Sequence, residues 1–179
     1  PIMQWKRIGA AITAIRKKTG RGTINLNTNG SVPGFVAALC KSGLDSIRIS
    51  LSSAREELYN SYYRPRGYSF DDVVESIRLA SAQGVYTMIN YLVFPGITDQ
   101  EAEVEALCRL IRRTGPHLIH FKNLNIDPDF YLQALGAASD RGMGIKKVCR
   151  LLEKEFPELQ FGYYNRTREA FSRQPKIKL

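Results

Sequence analysis

Residues 85 to 94, VYTMINYLVF, form a nearly continuous apolar run, bounded by Gly84 before it and Pro95-Gly96 after it. The run is far short of the ~18 residues of a membrane span and fits a single strand. A strand apolar on both sides must be covered on both sides, as in the interior of a parallel sheet. A parallel sheet needs a crossover between each pair of strands, and the crossover is normally a helix. The rest of the chain should therefore alternate strand and helix.

It does. Trp5, Ile8, Ile12 and Ile15 recur at helical spacing until Gly20. Thr23 to Asn29 reads as a strand, and Pro33 opens a short helix that Gly43 closes. Residues 45 to 53, DSIRISLSS, alternate as a strand. Ser53 and Glu56 have capping-box spacing, so a short helix should follow, then a loop through YYRPRGYSF. DDVVESIRLASAQG is a helix before the 85 to 94 strand, and Thr98 with Glu101 marks another capped helix running to about Arg113. Residues 117 to 126 form a strand, 145 to 156 a helix and 159 to 164 a short strand. The predicted class is α/β with a parallel sheet, either open and doubly wound or curved into part of a barrel.

The first strand then raises a problem. Asn25, Asn27 and Asn29 occupy alternate positions of TINLNTNG, although asparagine is a poor strand former. Strand faces alternate, so Ile24 and Leu26 take one side and the asparagines the other. Ile47, Ile49 and Leu51 likewise oppose Arg48, Ser50 and Ser52. Helices cover the apolar side. The amides and hydroxyls then face a lumen, where each polar group left bare costs on the order of 1–3 kcal/mol. A polar ligand or ordered water would satisfy them. Asn29 and Ser52 also read as a turn residue and a helix cap. Asn27, Ser50 and Asn90 read as ligand-facing.

The net charge of +9, from 26 Lys and Arg against 17 Asp and Glu, fits an anionic partner or plain solubility. Arg166, Arg168, Arg173, Lys176 and Lys178 are expected in a solvated tail, with a polyanion contact as the alternative. Cys40, Cys108 and Cys149 are scattered over three predicted helices without C-x-x-C spacing, and are expected as buried free thiols. His120 is expected to pack in its strand, against a helix or the lumen. Tyr59, Tyr62 and Tyr63 are expected as packing or as a rim over the cleft. Nothing resembles a signal peptide or membrane span, so a cytoplasmic location is expected.

Four pieces in order, NTNG, GLDSIRISLSS, YYRPRGYSFDDVVESI and INYLVFPGITD, resemble the radical S-adenosylmethionine (radical SAM) superfamily over roughly residues 1 to 130. Thr28-Asn29-Gly30 is similar to the end of the family's third strand, Ser50 in ISL to its fourth, and Asn90 with Pro95-Gly96 and Asp99 to its fifth. The resemblance implies an incomplete (β/α)6 barrel. Its defining C-x-x-x-C-x-x-C loop is absent from this sequence. PIMQWKRI resembles the segment just after the family's second strand, so strands one and two and the cluster loop are expected upstream. Residues 1–135 would be partial core barrel, and 136–179 a helix, short strand and basic tail of the same domain.

The resemblance implies reductive cleavage of S-adenosylmethionine with a [4Fe–4S] cluster, whose ligands are not in this chain, to abstract hydrogen from an unknown substrate. It implies an electron donor such as flavodoxin or ferredoxin. Asn27, Asn29 and Ser50 would bind the cofactor, Arg64 would pair with its carboxylate, Asn90 would face the adenosine and Asn123 would edge the adenine. Lys122 would meet substrate. No catalytic side chain and no metal ligand is assigned, and the isolated chain is expected to be inactive. The alternatives are an ordinary parallel-barrel enzyme of aldolase or isomerase type, with Lys122 as a Schiff-base lysine, and a basic nucleic-acid-binding domain.

Overall fold

The computed structural model describes residues 2–123, 125–136, 141–163 and 165–172. After a 3-10 turn at Ile2–Gln4, the elements run α1 (Trp5–Lys18), β1 (Asn25–Thr28), α2 (Pro33–Lys41), β2 (Ser46–Leu51), α3 (Glu56–Tyr63), α4 (Phe70–Ala82), β3 (Tyr86–Val93), α5 (Glu101–Thr114), β4 (Leu118–Asn123), α6 (Pro128–Leu135), α7 (Ile145–Glu155), β5 (Gln160–Phe161) and α8 (Arg168–Ser172). The five strands pair in sequence order, all parallel.

That order settles the architecture. Right-handed crossovers between strands added always on the same side put every crossover helix on one face of the sheet. A doubly wound sheet requires the order to reverse, and here it never does. The sheet is singly wound, an arc of a barrel with helices outside.

The outer face is the core. Ile47, Ile49, Ile89, Tyr91 and Ile119 are fully buried against Val36, Leu39, Val73, Ile77, Leu107, Ile111, Val148 and Leu152 from the helices. Burying one such aliphatic side chain stabilises by about 1.5–3 kcal/mol. Cys40, Cys108 and Cys149 lie on α2, α5 and α7 as free thiols; the first two are buried and the third half-buried. A second apolar cluster joins α3 to α6 through Leu58, Ile97, Tyr131 and Leu135. Tyr59 packs on Phe70 and Tyr63, and Tyr62 on Tyr131.

Two expected capping boxes are used otherwise. Ser53 accepts from the Arg55 backbone N–H at 3.0 Å and donates to Glu103 at 2.7 Å, and α3 starts after Arg55. Thr98 Oγ1 accepts from Phe94 N at 2.8 Å and donates to the Leu92 carbonyl at 3.1 Å, closing the turn after β3. The reciprocal box lies at Ser69 and Asp72, where it starts α4. Helix α6, not foreseen, is signalled by Asp127 as N-cap, accepting from Phe130 N at 2.9 Å, and Pro128 behind it.

The C-terminal segment is not a solvated tail where it is described. Arg166 lies 4.1 Å from the Tyr86 ring and donates to Gln160 at 2.8 Å. Arg168 pairs with Asp45, which also holds Arg16 of α1. Phe171 meets Tyr86 edge-on at 5.7 Å. Aromatic rings draw the segment back across the sheet, and Asp45 fixes it. Arg173, Lys176 and Lys178 lie outside the described residues.

Candidate functional site

Register decides which side chains share the face opposite the crossover helices, because neighbouring partners in a parallel sheet point the same way; α8 meets that face at Tyr86 through Phe171. The lowest row is Asn25, Ser46 and Tyr86. Next come Asn27, Arg48, Met88 and Leu118. Ser50, Asn90 and His120 form the third row, with Leu92 and Lys122 above. Asn27, Ser50, Asn90 and Lys122 therefore occupy one face. No Asp or Glu stands at any of these positions.

The row residues are tied to one another. Ser46 Oγ donates to Asn25 Oδ1 at 2.9 Å, and Asn25 Nδ2 to Asn27 Oδ1 at 3.1 Å. His120 Nδ1 lies 3.2 Å from Asn90 Oδ1. Burial, then the charges of Arg48 and Lys122, lower the His120 pKa from its usual value. The ring is thus neutral at about pH 7, with Nδ1–H donating to Asn90 and Nε2 turned to acceptor.

The turn after β1 explains the Thr-Asn-Gly step. Thr28 Oγ1 accepts from Gly30 N at 3.2 Å, and Asn29 Oδ1 from Ser31 N at 3.3 Å. Gly30 has φ +68, and a methyl there would meet Ile49 Cγ2 at 3.2 Å. Ser76 of α4 donates to the Gly30 carbonyl at 2.6 Å. Asn29 is thereby held exposed at the carboxyl end of β1.

The turns after β2 and β3 are equally fixed. Buried Glu103 accepts from Ser53 Oγ, from Ala54 N at 2.6 Å, from Arg55 Nε at 3.1 Å and from the Tyr91 hydroxyl. Burial first, and then the Glu103 charge, push the Tyr91 phenol well above its ordinary pKa, so it stays a donor. Ser52 next to this knot is buried and its hydroxyl has no partner among the described residues. Asp99 accepts from Gly96 N at 2.6 Å and Gly144 N at 2.8 Å, tying the β3 turn to the start of α7.

Register leaves two of the sequence-predicted residues apart. Asn123 is the partner of Val93 and so has the opposite parity to Lys122, at the exposed end of β4. Leu124 beyond it lies outside the described residues. Arg64 is exposed and ends α3 in a left-handed conformation, φ 47. Arg48 and His120 also belong to the face, Arg48 on the side expected for it and His120 on the lumen side of its two expected places; the Tyr163 ring joins them, and sequence reasoning gives none of the three a ligand-binding role. The signal for Arg48 is its parity with Ser50.

A singly wound parallel sheet with polar side chains on the face opposite its crossover helices and fixed turns at its carboxyl edge is the ligand-holding half of a (β/α) barrel. Comparison with known proteins narrows this. The family profile of the radical SAM superfamily matches residues 1–108. A GTP 3',8-cyclase from Petrotoga mobilis is 32% identical over 124 residues, 68% of this chain and 33% of that protein. A domain of pyruvate-formate lyase-activating enzyme from Bacteroides vulgatus matches with TM-score 0.66 at 9% identity, over 91% of this chain and 94% of that one. A radical SAM methyltransferase from Sphaerobacter thermophilus gives TM-score 0.56 at 20% identity, over 82% of this chain and 41% of that one. The chain belongs to the radical SAM superfamily. It spans only part of the curated relative it matches.

Membership implies S-adenosylmethionine and a [4Fe–4S] cluster. The face opposite the crossover helices fits the first: it offers the amides of Asn27 and Asn90 and the hydroxyl of Ser50, and the buried Ser52 Oγ just beyond the end of β2 has no partner among the described residues. The cysteines do not fit the second. They sit on three different helices, burial raises the Cys40 and Cys108 thiols to about 11, and Cys149 is raised as well. Among the described residues no group of three His, Cys, Asp or Glu side chains gathers as a metal site. No helix of the described residues is long and apolar enough to cross a membrane.

Proposed function

We propose that this chain forms the S-adenosylmethionine-facing wall of a radical SAM enzyme that abstracts hydrogen from its substrate. With the cluster bound, the chemistry supplied is one-electron cleavage of S-adenosylmethionine, which the protein positions and shields. The cluster ligands are not the cysteines of this chain. A one-electron donor of the flavodoxin or ferredoxin kind completes the scheme. The aldolase-type reading has little support, because Lys122 shares its face with no carboxylate.

The observation that supports the proposal is that Asn27, in one row, and Ser50 and Asn90, in the next, share the sheet face opposite the crossover helices. Asn27 and Ser50 bond the ribose hydroxyls or the methionine carboxylate, and Asn90 meets the adenosine. Asn29 stands at the mouth. Arg64, off that face at the end of α3, offers a planar fork for the carboxylate, and Asn123, of opposite parity at the exposed end of β4, edges the adenine from the rim. Lys122, one row above His120, contacts substrate. Residues 1–135 make up the core wall, and 136–179 complete the same domain.

The test is equilibrium binding of S-adenosylmethionine to the complete protein carrying Asn27→Leu, Ser50→Ala or Asn90→Leu. Each lost hydrogen bond is worth about 0.5–1.5 kcal/mol, so affinity should fall about 2- to 13-fold per variant. Unchanged affinity in all three, with the fold intact, refutes the assignment.

A further inference from the structure

Arg48 stands in the middle of the face opposite the crossover helices and is only 3% exposed. No carboxylate among the described residues pairs with it, and its buried Nε has no partner. What it has instead is soft. Nη2 lies 3.4 Å from Met88 Sδ and 3.4 Å from Asn165 Oδ1, and the guanidinium sits 4.6 Å from the Tyr163 ring centre. Tyr163 in turn lies 4.5 Å from His120, with 68% of its own surface open. A cation held this way is costly, because a buried charge is compensated only by a well-placed opposite charge. Every other charged side chain on this face is also cationic: burial first, and then the charges of Arg48 and Lys122, lower the pKa of His120.

We propose that Arg48 is the anchor for an anionic group, carboxylate or phosphate, on the substrate of this barrel. The proposal rests on reading the face opposite the crossover helices as the ligand side. The weak contacts of Met88, Asn165 and Tyr163 are placeholders that an oxyanion replaces, since charge-assisted bonds to guanidinium are about twice as strong as neutral ones. The anchor lies one row below Ser50, Asn90 and His120. A substrate held there presents its other end to that row.

The experiment follows arginine Nε–H signals of the labelled chain by NMR at constant ionic strength. Arg48 is identified by the signal missing from Arg48→Met and Arg48→Lys. Inorganic phosphate, succinate and S-adenosylmethionine are added separately. We expect a saturable shift of the Arg48 signal with phosphate or succinate, the tighter of the two naming the anion class. We expect either anion to raise the melting temperature of the parent, and this rise to vanish in Arg48→Met, which itself melts no lower than the parent. If Arg48→Met does not fold, Arg48→Lys gives the same comparison, with a weakened rise expected. A signal unmoved by both anions overturns the proposal, as does an undiminished melting rise in the variants. A shift with S-adenosylmethionine alone reassigns the residue to the cofactor and overturns it too. Neither cluster nor turnover is needed, so this failure is separate from failure of the cofactor-binding variants.

Discussion

Asn90 Oδ1 on β3 and His120 Nδ1 on β4 lie 3.2 Å apart, joining two strands at the level of Ser50. The contact requires Nδ1 to carry the proton, and so fixes the tautomer of the ring. Burial and the nearby charges of Arg48 and Lys122 depress its pKa. NMR titration should place His120 below 6.5, and Arg48→Met should bring it back up. A His120 pKa above 6.5 in the parent would contradict the assigned electrostatics.

Glu103 should be the most sensitive buried polar position. Glu103→Ala strips partners from Ser53, Ala54, Arg55 and Tyr91 at once. Removing one side of a buried charged network costs about 3–5 kcal/mol, measurable as a lower urea midpoint. Glu103→Gln keeps the shape and should lose less.

Gly30→Ala forces a side chain into a left-handed turn with φ +68 and against Ile49. The expected cost is about 1–3 kcal/mol, read by thermal or urea melting. Gly34→Ala, whose methyl meets nothing within 4 Å on α2, serves as the neutral control.

His117 Nδ1 accepts from Thr87 N at 3.1 Å, and burial followed by Arg166 lowers its pKa. A depressed histidine favours the fold only while neutral. Its contribution is complete above about 6.5, the unfolded value, and is lost as pH falls through the folded value. His117→Asn should flatten that part of the stability profile.

Anaerobic incubation of this chain with iron and sulfide should leave it without stoichiometric iron. Holding an iron–sulfur cluster needs several thiolates at one place, and the three thiols are all raised in pKa and lie on separate helices. Iron analysis after desalting checks this.

Much of the architecture was legible because β-period and helix-period patterns alternate cleanly, and parity alone put Asn27, Ser50 and Asn90 on one face. Long-range partners were not legible. Ser53 carries a local capping signal, yet Glu103, 50 residues on, claims it. Arg48 looked like one strand residue among several, since nothing local marks it as buried without a counter-charge. The C-terminal segment looked loose because its charges outnumber its aromatics. Phe171 and Tyr163 decide its path all the same, through rings at distant positions.

Arg166 and Phe171 lie over Tyr86, at the amino end of β3. The segment after β5 therefore acts as a floor under the amino end of this sheet face, while Asn29, Lys122 and Asn123 stand exposed at the opposite, carboxyl rim. A ligand seated on the face would rest on that floor and be reached from the rim.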